Sequence, residues 1–530
     1  MNLDLLLGDE AIGLGAIDAG ISGVYAYPGT PSTEIMEFVQ QYKNFYHENI
    51  HASWSTNEKT AYEAALGMSY AGKRALVCMK HVGLNVAADA FINSAITGVN
   101  GGLVLVSADD PSMHSSQNEQ DSRFYGKFAM IPVIEPSNQQ EAYEATRYAF
   151  DLSERVKLPV MIRITTRLAH SRSVVTRKNK IEQNPLHPEK NLKKFVLLPA
   201  NARVNYNYLI DLQDKLQEFS ENSQFNKIVE GLNDAKAIIA FGIAFNYVME
   251  VIQQNKLDIP VLKISQYPIP AKKIKLFAEK YESILVAEEG YPIYEELLKG
   301  LFGNEKFKGR LDGTLPRTGE LNPDIISNAL SIKKKAYYEI PSIVKPRLPR
   351  LCDGCSHRDL FESLIKALEG YENIRVFSDI GCYTLGALPP FNIIHTCVDM
   401  GASITMAKGA ADAGFRPAIA VIGDSTFTHS GITGLLDIVN DNSPVTIIIS
   451  DNRTTAMTGG QKSPGTDKFV DICKGIGVNE KHIRKIEPLR KHLDLNASII
   501  KEEIEFEGVS VIISERECIQ TAVRRKRQQA

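Results

Sequence analysis

Short runs of β-branched and aliphatic residues alternate with longer helical stretches along most of this chain. That alternation restricts the fold more than any other feature. Ala75–Met79, Leu103–Ser107, Val160–Ile164 and Val445–Ser450 are mostly apolar at consecutive positions, without a polar residue at every second one. Strands of this kind are buried on both faces, and they occur in parallel sheets covered by helices. The chain is therefore predicted to be α/β.

Three such passages can be distinguished. In residues 1–175, Gly23-Val-Tyr-Ala-Tyr27 is a strand that ends in a Pro-Gly turn. A helix follows from Ser32, then a strand over Ile50–Trp54 and a helix over Asn57–Tyr70. Residues 176–225 are polar and basic with prolines, and are read as a linker. Ala237–Phe241, Val261–Ile264 and Ile284–Ala287 give a second α/β passage over 226–345. Pro341, Pro346 and Pro349 mark a boundary. The third passage, 346–530, has strands at Arg375–Ser378, Ala418–Ile422, Val445–Ser450 and Val509–Ser514. A chain of 530 residues suits three domains.

The net charge of −3 gives no reason to expect a nucleic acid or a membrane as partner. No run approaches the ~20 apolar residues of a membrane span. Asp4, Asp9 and Glu10 give the N-terminus no basic leader character. The cysteines number seven, an odd count, which predicts a reducing cytoplasmic setting and no disulfide framework. Arg524, Arg525, Lys526 and Arg527 read as a solvated end.

Val421-Ile-Gly-Asp-Ser425 runs from a strand into a turn, and Asp451-Asn-Arg-Thr454 leaves the next strong strand. Asp424 and Asn452 lie 452 − 424 = 28 residues apart. Two neighbouring parallel strands would deliver both side chains at their carboxyl ends, where α/β folds bind ligands. A carboxylate and an amide oxygen suit Mg²⁺, which takes few protein ligands and completes its octahedron with phosphate oxygens and water. A carbonyl near Thr454 would be a third ligand. Gly381, Gly401, Gly423, Ser425, Thr458, Gly459 and Gly460 suit close approach to a diphosphate, and are equally ordinary turn residues. Gly-Asp-Ser alone is a common turn; the pair at this distance is the stronger signal.

Glu58 follows the strand Ile50–Trp54 and opens a helix. A buried carboxyl there could share a proton with the pyrimidine nitrogen of thiamine diphosphate (ThDP), the step that activates that cofactor. The simpler reading is that Thr56 or Asn57 caps the helix and Glu58 complements its dipole.

Longer blocks go further. Among them are Tyr27-Pro-Gly-Thr-Pro-Ser-Thr-Glu34, Asn57-Glu-Lys59, Met79-Lys-His-Val-Gly-Leu-Asn85, Glu288-Glu-Gly-Tyr-Pro292, Cys352-Asp-Gly-Cys-Ser-His-Arg358, Ile380-Gly-Cys-Tyr-Thr-Leu-Gly-Ala-Leu-Pro389, Gly423-Asp-Ser-Thr426 with His429-Ser-Gly431, and Asp451-Asn-Arg-Thr-Thr-Ala-Met-Thr-Gly459. Together they make most of the chain resemble the indolepyruvate-type alpha subunits of the 2-oxoacid:ferredoxin oxidoreductase family. The resemblance implies a pyrimidine-binding domain over 1–175, a transketolase-C-terminal-like domain over 226–345 and a diphosphate-binding domain over 346–530. It implies active sites formed between pyrimidine and diphosphate domains, commonly across subunits. It matches Glu58 to the activating glutamate, and Asp424, Asn452 and Thr454 to the Mg²⁺ site. It places Thr30 in a turn that faces substrate, and Lys80, His81 and His429 in motif blocks without individual roles.

The activity implied is oxidative decarboxylation of an aryl 2-oxo acid such as indolepyruvate to acyl-CoA and CO₂, with electrons passed to ferredoxin or another acceptor. The implied partner is a smaller beta (gamma-type) subunit, in a dimer of heterodimers. Relatives with a cluster near ThDP use a CxxC pair, a distant third cysteine and a late fourth. That points to Cys352, Cys355, Cys382 and Cys518 as [4Fe–4S] ligands, with Cys473 in reserve. Four thiolates would equally suit zinc, and reduced core cysteines remain open. The resemblance also implies a ferredoxin-like domain with runs such as C-x₂-C-x₂-C-x₃-C. No such run occurs in this sequence, so electrons are expected to leave through a partner or to a soluble acceptor. A non-oxidative ThDP decarboxylase or carboligase, and a silent scaffold subunit, are the alternative readings.

Overall fold

Ala75–Lys80 and Leu103–Asp109 are buried at every position and form the middle of a seven-stranded sheet. In the computed structural model, which describes residues 3–187, 189–191, 193–233, 235–302, 306–332, 341–345, 349–372 and 374–529, the strand order is Gln266–Tyr267, Val133–Ile134, Val160–Thr165, Leu103–Asp109, Ala75–Lys80, Gly23–Ala26 and His51–Trp54. Only the pair Gln266–Tyr267 with Val133–Ile134 is antiparallel. A second sheet runs Phe307–Lys308, Ser283–Ala287, Lys236–Phe241, Val261–Ile264 and Ile228–Val229. The fold is thus α/β with parallel sheets, as expected.

The second passage lends the edge strand Gln266–Tyr267 to the first sheet. Residues Met1–Tyr338 accordingly form one compact unit, where the sequence suggested two domains. Fully buried charges bind the two sheets together. Arg163, on a strand of the first sheet, holds Asp109 at 2.6 Å and also pairs with Glu135. Arg123 holds Asp121 at 2.6 Å and Glu288 at 2.9 Å, and Glu288 follows a strand of the second sheet. Such a network adds little net stability, but losing one member strands the others in the core.

The segment 176–225 is no bare linker. It carries helices Pro199–Asp211 and Gln213–Glu221, whose Leu209 and Leu216, with Leu212 between the helices, are buried in the main core.

The second unit, Glu339–Ala530, holds a five-stranded parallel sheet ordered Arg375–Ser378, Ala418–Gly423, Thr446–Asp451, Ser510–Glu515 and Ile483–Ile486. Apolar clusters line it, and Cys473 lies fully buried in one of them. Of the boundary prolines, Pro346 lies outside the described residues. The basic tail belongs to a helix, Ile519–Gln529, and Arg524 donates to the carbonyl of Gly459 at 2.6 Å. The four basic residues are exposed, as expected of a solvated end, and only Arg524 makes this contact. Among the described residues no helix is long and apolar enough to cross a membrane.

Candidate active site

In the second unit, Ala418–Gly423 and Thr446–Asp451 are adjacent parallel strands, with Gly423 opposite Ser450. Asp424, Asp451 and Asn452 therefore emerge side by side at the carboxyl edge. Asp424 is 2 % exposed. Its Oδ1 accepts the N–H of Ser425 at 2.7 Å, while its Oδ2 is buried without a hydrogen-bond partner. Burial, and then the like charge of Asp451, hold the Asp424 carboxyl well above the usual range. Among the described residues no cationic side chain is paired with it. The buried Ser463 hydroxyl lies beside it, also without a formed hydrogen bond. Ser463 escaped the sequence reading, and Asp451 entered it only as the neighbour of Asn452, because only through-space approach reveals their contact with Asp424.

The side-chain oxygen of Asn452 accepts the N–H of Thr454 at 3.1 Å, which leaves one lone pair for another partner. Thr454 donates its hydroxyl to the Gln461 carbonyl at 3.0 Å, closing a small hairpin. Thr458 donates to Gln461 Oε1 at 2.8 Å, and Ser425 Oγ meets Thr455 Oγ1 at 2.9 Å. The glycines answer first to packing. A Cβ on Gly381 or Gly423 would strike the Tyr383 ring, and one on Gly401 would strike Ser430. His429 is buried in the π-helical turn Phe427–Gly431, with Nδ1 2.6 Å from Ser430 Oγ.

Cys352, Cys355, Cys382 and Cys518 lie near enough for their charges to act on one another. Burial pushes the Cys382 thiol up to about 12, and Cys355, Cys518 and Cys352 add like-charge repulsion. Cys355 is raised by burial, with contributions from Cys352 and Cys518. No three of these sulfurs lie within 4.8 Å of one another among the described residues. Arg516, which the sequence reading passed over, donates to Asp359 at 2.5 Å and to the Gly354 carbonyl at 2.8 Å, clamping the Cys352–Cys355 loop. Its charge favours thiolates nearby. Cys473 sits in the apolar core with its thiol pushed up to about 12 by burial alone, which removes it as the reserve ligand.

In the first unit, Asn57 caps the helix Glu58–Tyr70 by accepting the N–H of Thr60 at 2.9 Å. Glu58 is 6 % exposed and lies against the first turn of the helix His81–Thr97: a Cβ on Gly83 would meet its Oε1 at 2.4 Å. The cap and the buried carboxyl therefore coexist. Lys80 leaves the central strand and donates to the Ser115 carbonyl at 2.8 Å. Ser115 Oγ in turn donates to the Thr30 carbonyl at 3.3 Å. Burial depresses the Lys80 ammonium to about 8, partly opposed by Asp110. His81 is buried, its ring nitrogens each 3.4 Å from the carbonyls of Ala108 and Asn118.

A family model described as pyruvate flavodoxin/ferredoxin oxidoreductase, thiamine diphosphate-binding, matches residues 14–214. A second, the C-terminal TPP-binding domain of thiamine pyrophosphate enzymes, matches residues 379–512. Indolepyruvate oxidoreductase subunit IorA of Archaeoglobus fulgidus is 38 % identical over 551 residues, covering 97 % of this chain and 86 % of that protein. Its counterpart from Methanothermobacter thermautotrophicus is 37 % identical with the same coverage. Among solved structures, a 2-oxoglutarate:ferredoxin oxidoreductase from Magnetococcus marinus aligns with TM-score 0.52 at 16 % identity, covering 62 % of this chain and 65 % of that one, a likeness of fold.

Proposed function

This chain belongs to the indolepyruvate oxidoreductase alpha-subunit family of 2-oxoacid:ferredoxin oxidoreductases, and on that footing we propose that it oxidatively decarboxylates an aryl 2-oxo acid such as indolepyruvate. The products are acyl-CoA and CO₂, and the electrons go to ferredoxin or another low-potential acceptor. A smaller beta (gamma-type) subunit completes the enzyme, as a dimer of heterodimers in the cytoplasm.

The observation that carries this reading is Asp424 Oδ2, buried without a partner beside a second buried carboxylate, Asp451. Paired buried anions with an unused oxygen call for a cation. Asp424, Asn452 and the Thr454 carbonyl would hold Mg²⁺, with Gly381, Gly401, Gly423, Ser425 and Thr458 around the diphosphate. Bound ThDP supplies a carbanion to attack the 2-oxo carbon and an electron sink for loss of CO₂. Glu58 would hydrogen-bond the cofactor's ring nitrogen. Lys80, tied through Ser115 to the Thr30 turn, is the partner for the substrate carboxylate. His81 in the first unit and His429 in the second are further proposed site residues.

Cys352, Cys355, Cys382 and Cys518 would hold a [4Fe–4S] cluster, which supplies one-electron acceptance. The family resemblance favours the cluster over zinc, which four thiolates would equally suit. The test is anaerobic copurification with the smaller subunit, assay of ThDP, iron and sulfide, and CoA-dependent dye reduction with indolepyruvate. Aldehyde release without dye reduction would instead mean a non-oxidative decarboxylase. ThDP binding without any turnover would mean a scaffold subunit.

A further inference from the structure

Asp9 is the second residue of the helix Gly8–Asp18, Glu34 the second of the helix Thr33–Tyr46, and His170 the last of Thr166–His170. The three helix ends meet inside the first unit, so that one ligand atom from each lies within 4.8 Å of the others. Asp9 is fully buried, and neither of its carboxylate oxygens has a hydrogen-bond partner. Glu34 Oε2 is likewise buried and unpartnered, while Glu34 Oε1 is 3.6 Å from His170 Nε2. We propose that Asp9, Glu34 and His170 form a binding site for a divalent first-row transition-metal ion, separate from the Asp424 anchor of the second unit.

Charge argues for an ion. Two carboxylates and a neutral imidazole carry −2, which one dication cancels. Without it a fully buried carboxylate faces another anion with one partly exposed histidine to offset them. An isolated buried carboxylate is costly enough that it must be paired, coordinated or neutralised. Ligand chemistry sets the class. Imidazole with carboxylates suits Zn²⁺, Mn²⁺, Fe²⁺ and Co²⁺ better than the all-oxygen shells of Ca²⁺ and Mg²⁺. At bond lengths of about 2.0–2.2 Å, two ligands of one ion stand no more than ~4.4 Å apart, so the cluster would close by no more than about half an ångström. Side chains of Glu34 and His170 are each 36 % exposed, which leaves an entry path and room for water as a fourth ligand.

The surroundings fit a built site. Gly8 lets the helix Thr166–His170 seat against Asp9's own helix, since a Cβ there would stand 2.2 Å from the Leu168 carbonyl. Burial and the charge of Glu34 raise the Asp9 carboxyl, consistent with a missing counter-charge. Glu34 lies four residues beyond Thr30, at the carboxyl edge of the first sheet.

The test uses Mn²⁺ alone, added to metal-stripped protein without ThDP and followed by electron paramagnetic resonance with electron spin-echo modulation. The expected result is a bound Mn²⁺ that shows imidazole ¹⁴N modulation. His170→Gln should erase that modulation, and both His170→Gln and Asp9→Asn should weaken Mn²⁺ binding at least tenfold. The melting temperature of the parent should rise with Mn²⁺, and the rise should vanish in both variants. Mn²⁺ bound without a histidine nitrogen, or bound equally well by His170→Gln, would overturn the proposal. If Asp9→Asn fails to fold, His170→Gln, at a partly exposed position, decides alone.

Discussion

Cys518 donates its backbone N–H to the carbonyl of Asn452 at 3.0 Å, and two residues earlier Arg516 does the same to Asp451. The exit of the strand Ser510–Glu515 is thereby laced to the exit that carries the proposed metal anchor. Two sites read separately in the sequence share one backbone ladder.

This relationship separates two roles of one residue. Cys518→Ser removes the sulfur and keeps the N–H. Anaerobic protein should lose about four irons per chain and all CoA-dependent oxidation, while ThDP affinity stays within about threefold of the parent, a shift under 1 kcal/mol. Cys518→Pro removes the N–H as well and should weaken ThDP binding further. Full iron content in Cys518→Ser, measured by colorimetric iron and sulfide assay, would remove this residue from the cluster.

Asp424→Ala should abolish Mg²⁺-dependent ThDP binding, read by calorimetry, with little loss of fold. It deletes an anion that repels Asp451 and has an unpaired oxygen, so the cofactor-free variant should melt no lower than the parent. Retained cofactor occupancy would show that the anchor lies elsewhere.

The central strands were legible because strands buried on both faces are continuous apolar runs. Val261–Ile264 matches residue for residue, and so does Arg375–Ser378, although it lies at the edge of its sheet. Very short or charged strands were not legible. Val133–Ile134 is too short to show a period, and Ile483-Arg-Lys-Ile486 carries charges where half its surface meets water. Nothing local to Gln266–Tyr267 says that it joins the first sheet. The same divide holds at the site. Asp424, Asp451 and Asn452 sit at strand ends, which patterns reveal, whereas Ser463 and Arg516 act by approach to residues distant in sequence.

Burial raises Glu288 and Glu289 each to about 7 from an ordinary value of 4.5. Carboxyls raised in the folded state favour folding fully below pH 4.5, and that contribution is lost as pH rises through about 7. Glu289 accepts the N–H of Leu321 at 2.9 Å, a bond the glutamine carbonyl can keep. Glu289→Gln should therefore reduce the fall in stability between about pH 4.5 and 7 by an amount on the order of 1–3 kcal/mol. An unchanged pH slope in thermal melts would mean that Glu289 stays ionised beside Arg310.

Glu58 and Gly83 offer the sharpest test of the activation step. Glu58→Gln keeps the shape and loses the exchangeable proton. ThDP should still bind, while exchange of its C2 proton, followed by NMR, falls by roughly 10²–10⁴-fold, the usual worth of general acid–base catalysis. Gly83→Ala leaves Glu58 intact but places a Cβ 2.4 Å from its Oε1 and 2.6 Å from its Cγ. The carboxyl must then move by several tenths of an ångström or more, because real Cβ atoms do not come so close. If Glu58 acts only through its position against that helix turn, Gly83→Ala should slow C2 exchange while leaving the titratable group in place. A simple helix-dipole role would give a different pattern: both variants would change stability by under about 1 kcal/mol and leave exchange untouched.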